Sequence, residues 1–333
     1  NQKDAWQLDR IFELAEIRDI NIILCVFQQN ALVNTYGVNN WKENNAFNGA
    51  VNTSRKQSID SPFAFFGDKN ARKMTRDMLR YMIARWGYAT NLVAWKIFTE
   101  IEQVENIWGK SGVTPPEGYL ESVFEWHSEM AKFIRETDAF EHLITTSSPN
   151  KYSNGGKEYP RVFYDMDLTI SHDYKGINTL NSLKVFEKHL QVRAKAYLNE
   201  EGLQSKPYMS QEWGVTPGKK LTEMDPVGYA FHNCLWSSAM SGAFGAVLSW
   251  EWDTYLVKKD LFKRLKPVSE FMNSVISELD GSVVGKRAQS NGISTFYAVS
   301  RSNGVVIGWC QDDNYDFSVV KNTAYIKNLK RAK

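Results

Sequence analysis

An amphipathic helical stretch followed by a short apolar run recurs along this 333-residue chain, and that order leaves few folds open. Residues 4–18 set Leu8, Ile11, Phe12 and Ala15 on one helical face, and the β-rich run "INIILCVF" follows. The order returns with a helix carrying Met74, Met78, Met82, Ile83 and Trp86 on one face before "NLVAWKIFTE", and again with residues 119–138 before "HLITTSS". A polar loop leads to "MDLTISHDY", a helix over about 180–200 precedes "KPYMSQEWGV", and "PVGYAFHNCLWSSAMSG" precedes "GAFGAVLSWEWD". A last helix covers "LFKRLKPVSEFMNSVISEL". Strands separated by helices or long loops predict a parallel sheet, because parallel neighbours need a crossover. Their near-continuous apolar runs predict burial on both faces.

A doubly wound open sheet and a (β/α)8 barrel both fit this order. The polar residues decide between them. Gln28, Glu100, Ser148, His172, Glu212 and Trp250 all fall at carboxyl ends of predicted strands, and no Gly-rich phosphate loop follows the first one. Side chains supplied to one rim by many strand ends indicate the barrel. Six strands are legible where a barrel needs eight, so the chain reads as an interior portion of a longer protein, with about two βα units, on the order of 60 to 100 residues, expected upstream. After Leu279 the pattern changes to alternating runs, "STFYAVSR" and "GVVIGWCQD", with turns at 290–292 and 302–304. The expected division is a partial catalytic barrel over 1–280 and the start of a β-sandwich-like domain over 281–333.

Composition removes several function classes. A net charge of +2, without a basic stripe, argues against nucleic acid. No apolar stretch approaches a membrane span, and the first residues lack a signal-peptide pattern. Cys25, Cys234 and Cys310 match no metal spacing and read as small core residues. No His, Asp and Glu cluster has metal-ligand spacing, so neither metal nor cofactor is expected. Aromatic residues make 13% of the chain, more than a core alone calls for, and some are expected to line a cleft. Trp41, Phe65 and Phe66 belong to a long segment over 30–68 that either walls such a cleft or covers apolar surface. "NTS" at 52–54 is a glycosylation sequon of a kind that chance supplies.

Hydrolysis of a glycosidic bond needs one carboxylic acid to protonate the leaving oxygen and one carboxylate on the opposite side of the sugar carbon. Glu100 ends "LVAWKIFTE" and Glu212 ends "KPYMSQE". Counted with two further strands, these are the fourth and seventh of a barrel, positions that face each other across the mouth. Carboxyl groups roughly 5 Å apart, the retaining geometry, are attainable there. Glu102 and Glu105 sit in the loop beyond, solvated or holding substrate hydroxyls, and His127 reads as a core histidine donating to a backbone carbonyl.

The segment "AWKIFTEIE" resembles the Trp-x-x-x-Asn-Glu strand of the clan A glycoside hydrolases, and "KPYMSQEWGV" resembles their nucleophile strand. "SWEWD" is similar to their Trp-bearing eighth strand, and "EWHSEMAKFIRETD" with "HLITTSS" resembles the fourth helix and fifth strand of cellulase-like barrels. The likeness covers residues 1 to about 280. It implies Glu100 as acid/base, Glu212 as nucleophile and Trp250 as a stacking platform, with Trp252 further out. It implies His172 and Tyr174 beside the nucleophile or sugar, where a Tyr hydroxyl favours the charged carboxylate. Thr99 stands where the family carries Asn, and a hydroxyl reaches less far and cannot offer two donors. The resemblance also implies a carbohydrate substrate and an extracellular or periplasmic location.

Overall fold

The structure, a computed structural model, describes residues 2–34, 40–48, 59, 61–106, 114–148, 159–174, 186–199, 201–204, 206–215, 220–280 and 283–313. The sequon at 52–54 and the side chain of Glu105 lie outside them. The chain divides into two compact units, residues 1–170 and 171–333.

The first unit holds α1 (Gln2–Glu16), β1 (Ile22–Gln28), α2 (Lys69–Trp86), β2 (Leu92–Thr99), α3 (Tyr119–Thr137) and β3 (Leu143–Thr145). The strands pair in parallel in the order β1-β2-β3. Local chemistry starts α2: Asp68 caps it by accepting from the amides of Asn70 and Ala71, both at 2.8 Å. The buried stripe of α2 is Ala71, Thr75, Leu79, Ile83 and Trp86. The predicted face was rotated, because Met74, Met78 and Met82 are only half-buried. Ile11 of α1 is likewise exposed while Phe12 and Ala15 are buried. Beneath the strands, Phe27, Phe65, Phe66, Phe98 and Trp126 pack in stacked, tilted and edge-on pairs. Trp41, Phe65 and Phe66 are all buried, so the long segment covers apolar surface rather than lining a cleft with these rings.

The second unit contains β5 (Tyr208–Trp213) and β6 (Leu248–Ser249), which follow β4 (Thr169–Asp173) in a sheet of order β4-β5-β6. It also contains α4 (Phe186–Leu198), α5 (Tyr229–Ala239) and α6 (Leu265–Val275). The six strands read from the sequence are thus present, although β6 is only two residues long. Trp250 and Trp252 therefore do not alternate on a strand, and Trp252 opens a π-helical turn over Trp252–Val257. The alternation expected after Leu279 forms an antiparallel sheet of β7 (Val283–Ser290), β8 (Ile293–Ser300) and β9 (Val306–Asp312). Asn291 and Gly292 join β7 to β8 with φ of 50° and 76°, the two left-handed positions of a tight hairpin. Phe296, Ala298 and Ile307 of this sheet share one core with Phe231, Leu235 and Met240 of the α5 region. A side-chain carbon at Gly285 would stand 2.1 Å from the carbonyl oxygen of Ser241, so only glycine admits that approach.

Of the cysteines only Cys234 is a core residue; Cys25 and Cys310 are exposed, and all three are free. Both exceptions lie on strands, β1 and β9, where alternate side chains point out of the core. Among the described residues, no helix is long and apolar enough to cross a membrane.

Candidate active site

In the first unit the parallel register sets Gln28 of β1 beside Thr99 of β2, so the next residues, Gln29 and Glu100, emerge side by side at the carboxyl ends. Gln29 Nε2 donates to Glu100 Oε2 at 2.8 Å. Gln28 itself is exposed. Glu100 has φ of 54°, a left-handed backbone that costs a non-glycine residue free energy unless its surroundings enforce it. Ser147, just past β3, supplies that enforcement. Its amide donates to the Phe98 carbonyl at 2.9 Å, its carbonyl accepts from Ile101 at 3.3 Å, and its hydroxyl oxygen accepts from the Glu100 amide at 3.0 Å.

Thr99 is tied into the same arrangement. Its hydroxyl accepts from the buried Lys96 ammonium at 2.9 Å and lies 3.2 Å from the Ser147 hydroxyl. Three residues on, Glu102 is buried rather than solvated. His127 is buried as expected of a core histidine: Nδ1 donates to the Val123 carbonyl at 2.8 Å, and Nε2 lies 3.1 Å from the Thr146 hydroxyl, which also reaches the Phe98 carbonyl at 3.1 Å. Burial without a charged partner pulls its pKa down to about 4, so it is neutral.

In the second unit Glu212 stands one residue before the end of β5 and is half-buried. Its Oε1 accepts from the Tyr174 hydroxyl at 2.8 Å and from His172 Nδ1 at 2.9 Å. A carboxylate only accepts, which places a proton on Nδ1, and Nε2 lies 3.4 Å from the side-chain oxygen of Gln211. The three sequence candidates His172, Tyr174 and Glu212 therefore meet around one carboxyl oxygen. Gly214 makes room for this, because a side-chain carbon there would lie 2.4 Å from Tyr174 Cε1.

Beneath this trio runs a buried polar network that the sequence did not announce. Ser171 and Asp173 share one face of β4, and Tyr208 and Ser210 one face of β5, because side chains two apart point the same way. Asp173 Oδ1 lies 2.9 Å from Arg193 Nε, and Asp173 Oδ2 accepts from Ser210 at 2.6 Å and Ser171 at 3.2 Å. Burial pushes the Asp173 carboxyl up, but His189, the Arg193 guanidinium and Ser210 together hold it below the usual range. Arg193 is buried on α4 together with Glu187 and Gln191 among apolar residues, and its only sequence signal was a charge on the inward face of that helix.

Beyond β6 the Trp250 amide donates to the Trp213 carbonyl at 2.8 Å, which fixes its backbone beside the residue after Glu212. The Trp250 ring is 60% exposed and that of Trp252 56% exposed, both unusual for tryptophan.

No protein-family model matches the sequence, and no curated protein matches it. Solved structures do. A GH5_18 protein from Streptomyces cattleya, solved in complex with Manb1-4GlcNAc, matches at a TM-score of 0.51 and 14% identity, over 75% of this chain and 57% of that one. A GH5_18 protein from Bifidobacterium longum subsp. infantis matches at 0.50 and 15%, over 75% of this chain and 56% of that one. An endo-1,4-beta-D-mannanase from Thermotoga petrophila matches at 0.49 and 14%, over 73% and 67%. The chain shares the fold of the GH5_18 proteins and spans little more than half their length.

Proposed function

We propose that the chain is part of a retaining glycoside hydrolase, a (β/α)8 barrel over 1–280 with the start of a C-terminal β-rich domain over 281–333, acting on a polysaccharide or oligosaccharide without a cofactor. Glu100 protonates the leaving oxygen while a Glu212 oxygen attacks the anomeric carbon, and Glu100 then takes a proton from the water that displaces Glu212. Tyr174 and His172 orient Glu212 and favour its charged form, and Trp250 offers its exposed ring as a stacking platform for sugar, with Trp252 further out. Gln28 and Thr99, at the carboxyl ends of β1 and β2, are assigned as further substrate contacts. The observation that carries the reading is the pair of donors on one oxygen of Glu212, at 2.8 and 2.9 Å, at the carboxyl end of a parallel strand.

Polymeric substrates lie outside the cytoplasm, so we assign the protein to the extracellular or periplasmic space. The remaining βα units of the sheet come from the rest of a longer chain. The test is hydrolysis of aryl glycosides and a polysaccharide panel by the full-length protein and its Glu212→Ala variant. Loss of turnover with the fold retained is expected, and unchanged rates in the variant reject the nucleophile.

A second reading, a carbohydrate-binding protein on a degenerate glycosidase barrel, draws on Thr99. Its hydroxyl is already engaged by Lys96 and Ser147, whereas the family's Asn at this position serves a sugar hydroxyl. Binding of a glycan by a wild-type protein that hydrolyses none of the panel selects this reading.

A further inference from the structure

Gln29 is placed unusually for an amide side chain. An amide offers a donor end and an acceptor end, and buried polar atoms are nearly always paired. Here Nε2 meets Glu100 Oε2 at 2.8 Å, while Oε1 is buried and has no hydrogen-bond partner among the described residues. Leaving such an oxygen unpaired is expensive. Half a turn about the terminal bond exchanges the two ends: the atom at Glu100 keeps a partner, and the oxygen gives up no hydrogen bond by leaving its present place. The amide orientation is therefore set by Glu100 alone. An ionised Glu100 can only accept and selects the NH2 end; a protonated Glu100 donates its O–H and selects the oxygen.

We propose that Gln29 is a positioning residue that turns over with the protonation state of Glu100, donating to the carboxylate and accepting from the acid. The proposal rests on the acid/base reading of Glu100. In the first half of the reaction Glu100 O–H gives its proton to the leaving oxygen as the glycosidic C–O bond breaks and the Glu212–carbon bond forms. In the second, Glu100 accepts a proton from water as the water oxygen bonds to that carbon and the Glu212–carbon bond breaks. A partner suited to only one charge state would hold Glu100 in place for half of this cycle and oppose the other half. An amide with no other commitment serves both. The register Gln28↔Thr99 makes the pairing a consequence of strand alignment, since the next residue of each strand is the one that meets.

The test uses the full-length protein. The side-chain NH2 resonance of Gln29, identified by its loss in Gln29→Met, is followed against pH in 15N-labelled wild type and in Glu100→Gln. It is expected to move with pH in the wild type and to stay flat in Glu100→Gln; a flat resonance in the wild type overturns the proposal. Kinetics supply the second arm, with two glycosides of one sugar: a dinitrophenyl glycoside, whose leaving group departs without a proton, and an alkyl glycoside, whose leaving group needs one. Gln29→Met is expected to lower kcat on the first and kcat/KM on the second by about tenfold each, the factor of one ordinary hydrogen bond, with KM for the alkyl glycoside little changed. Loss on only one substrate, or on neither, overturns the proposal. Should Gln29→Met fail to fold, Gln29→Asn supplies the loss that identifies the resonance, and the comparison of wild type with Glu100→Gln decides. A wild type that cleaves neither glycoside while its Gln29 resonance still follows Glu100 refutes the glycosidase reading and leaves the turning amide standing.

Discussion

The hydroxyl of Ser147 accepts from the amide of Glu100 at 3.0 Å, and the same residue's backbone bonds to Phe98 and Ile101 on either side. A serine one strand away thus holds a carboxylate residue in a left-handed backbone at φ 54°. Ser147→Ala removes the acceptor and leaves the strained amide unpaired, at a cost of ~1–2 kcal/mol by urea unfolding. Turnover is expected to fall further than stability alone accounts for, because Glu100 is then free to relax out of position. Unaltered turnover at saturating substrate would show that the backbone strain has no part in the chemistry.

Gly214 gives a second test, directed at Glu212. In Gly214→Ala the new methyl, placed 2.4 Å from Tyr174 Cε1, must displace the ring and with it the 2.8 Å bond to Glu212. We expect kcat to fall as far as in Tyr174→Phe, roughly ten- to a hundredfold for one donor on a reacting carboxylate. The double variant should be no worse than either single one, since both remove the same contact. Additive losses would place the effect of Gly214 elsewhere.

The network under Glu212 is predicted to matter for folding. Arg193→Met leaves Asp173 as a buried charge without its guanidinium, and breaking a buried pair from one side costs ~3–5 kcal/mol. Urea unfolding measures it. Because the folded Asp173 carboxyl is held below its ordinary range, the stability it contributes is present above the unfolded pKa and lost as pH falls through the folded one. Arg193→Met should weaken that acid dependence.

Two buried groups titrate in opposite senses. His127, at about 4 when folded, refuses a proton that the unfolded chain takes up below about pH 6.5, so stability falls as pH falls through that window, by ~3 kcal/mol at most. Burial pushes Glu187 on α4 up to about 7 from 4.5, so the folded chain keeps a proton that the unfolded one sheds. Stability then falls as pH rises through 4.5 to about 7, again by ~3 kcal/mol at most. In urea series from about pH 4 to about pH 8, which bracket both windows, His127→Gln should flatten the acid arm. Glu187→Gln should raise stability at the alkaline end relative to wild type. A Glu187→Gln protein weaker than wild type there contradicts the assignment.

The sequence disclosed the strands because each is an apolar run too long for a loop and bounded by polar residues, and it disclosed Glu100 and Glu212 because each closes such a run. His172 and Tyr174 were found for the same reason, at the end of β4. Gln29 was missed by one position: Gln28 and Gln29 are adjacent and chemically identical, and only the register with β2 tells which one reaches Glu100. Trp250 was expected to end a strand that stops one residue earlier, because pairing, not apolarity, ends β6 at Ser249. Met74, Met78 and Met82 were read as core because methionine at helical spacing looks like a buried stripe, while smaller Ala71 and Thr75 occupy the inward face of α2. The Asp173–Arg193 pair was illegible because long-range partners leave no local pattern.

The contact between Gly285 and Ser241 bears on how this protein can be cut for study. A chain trimmed at Leu279 would strip β7–β9 from α5 and wet the apolar side chains that Phe296, Ala298 and Ile307 now cover. Such a fragment would be sticky and prone to precipitate, so expression designs meant to isolate the parallel-stranded portion should carry the hairpin sheet with it.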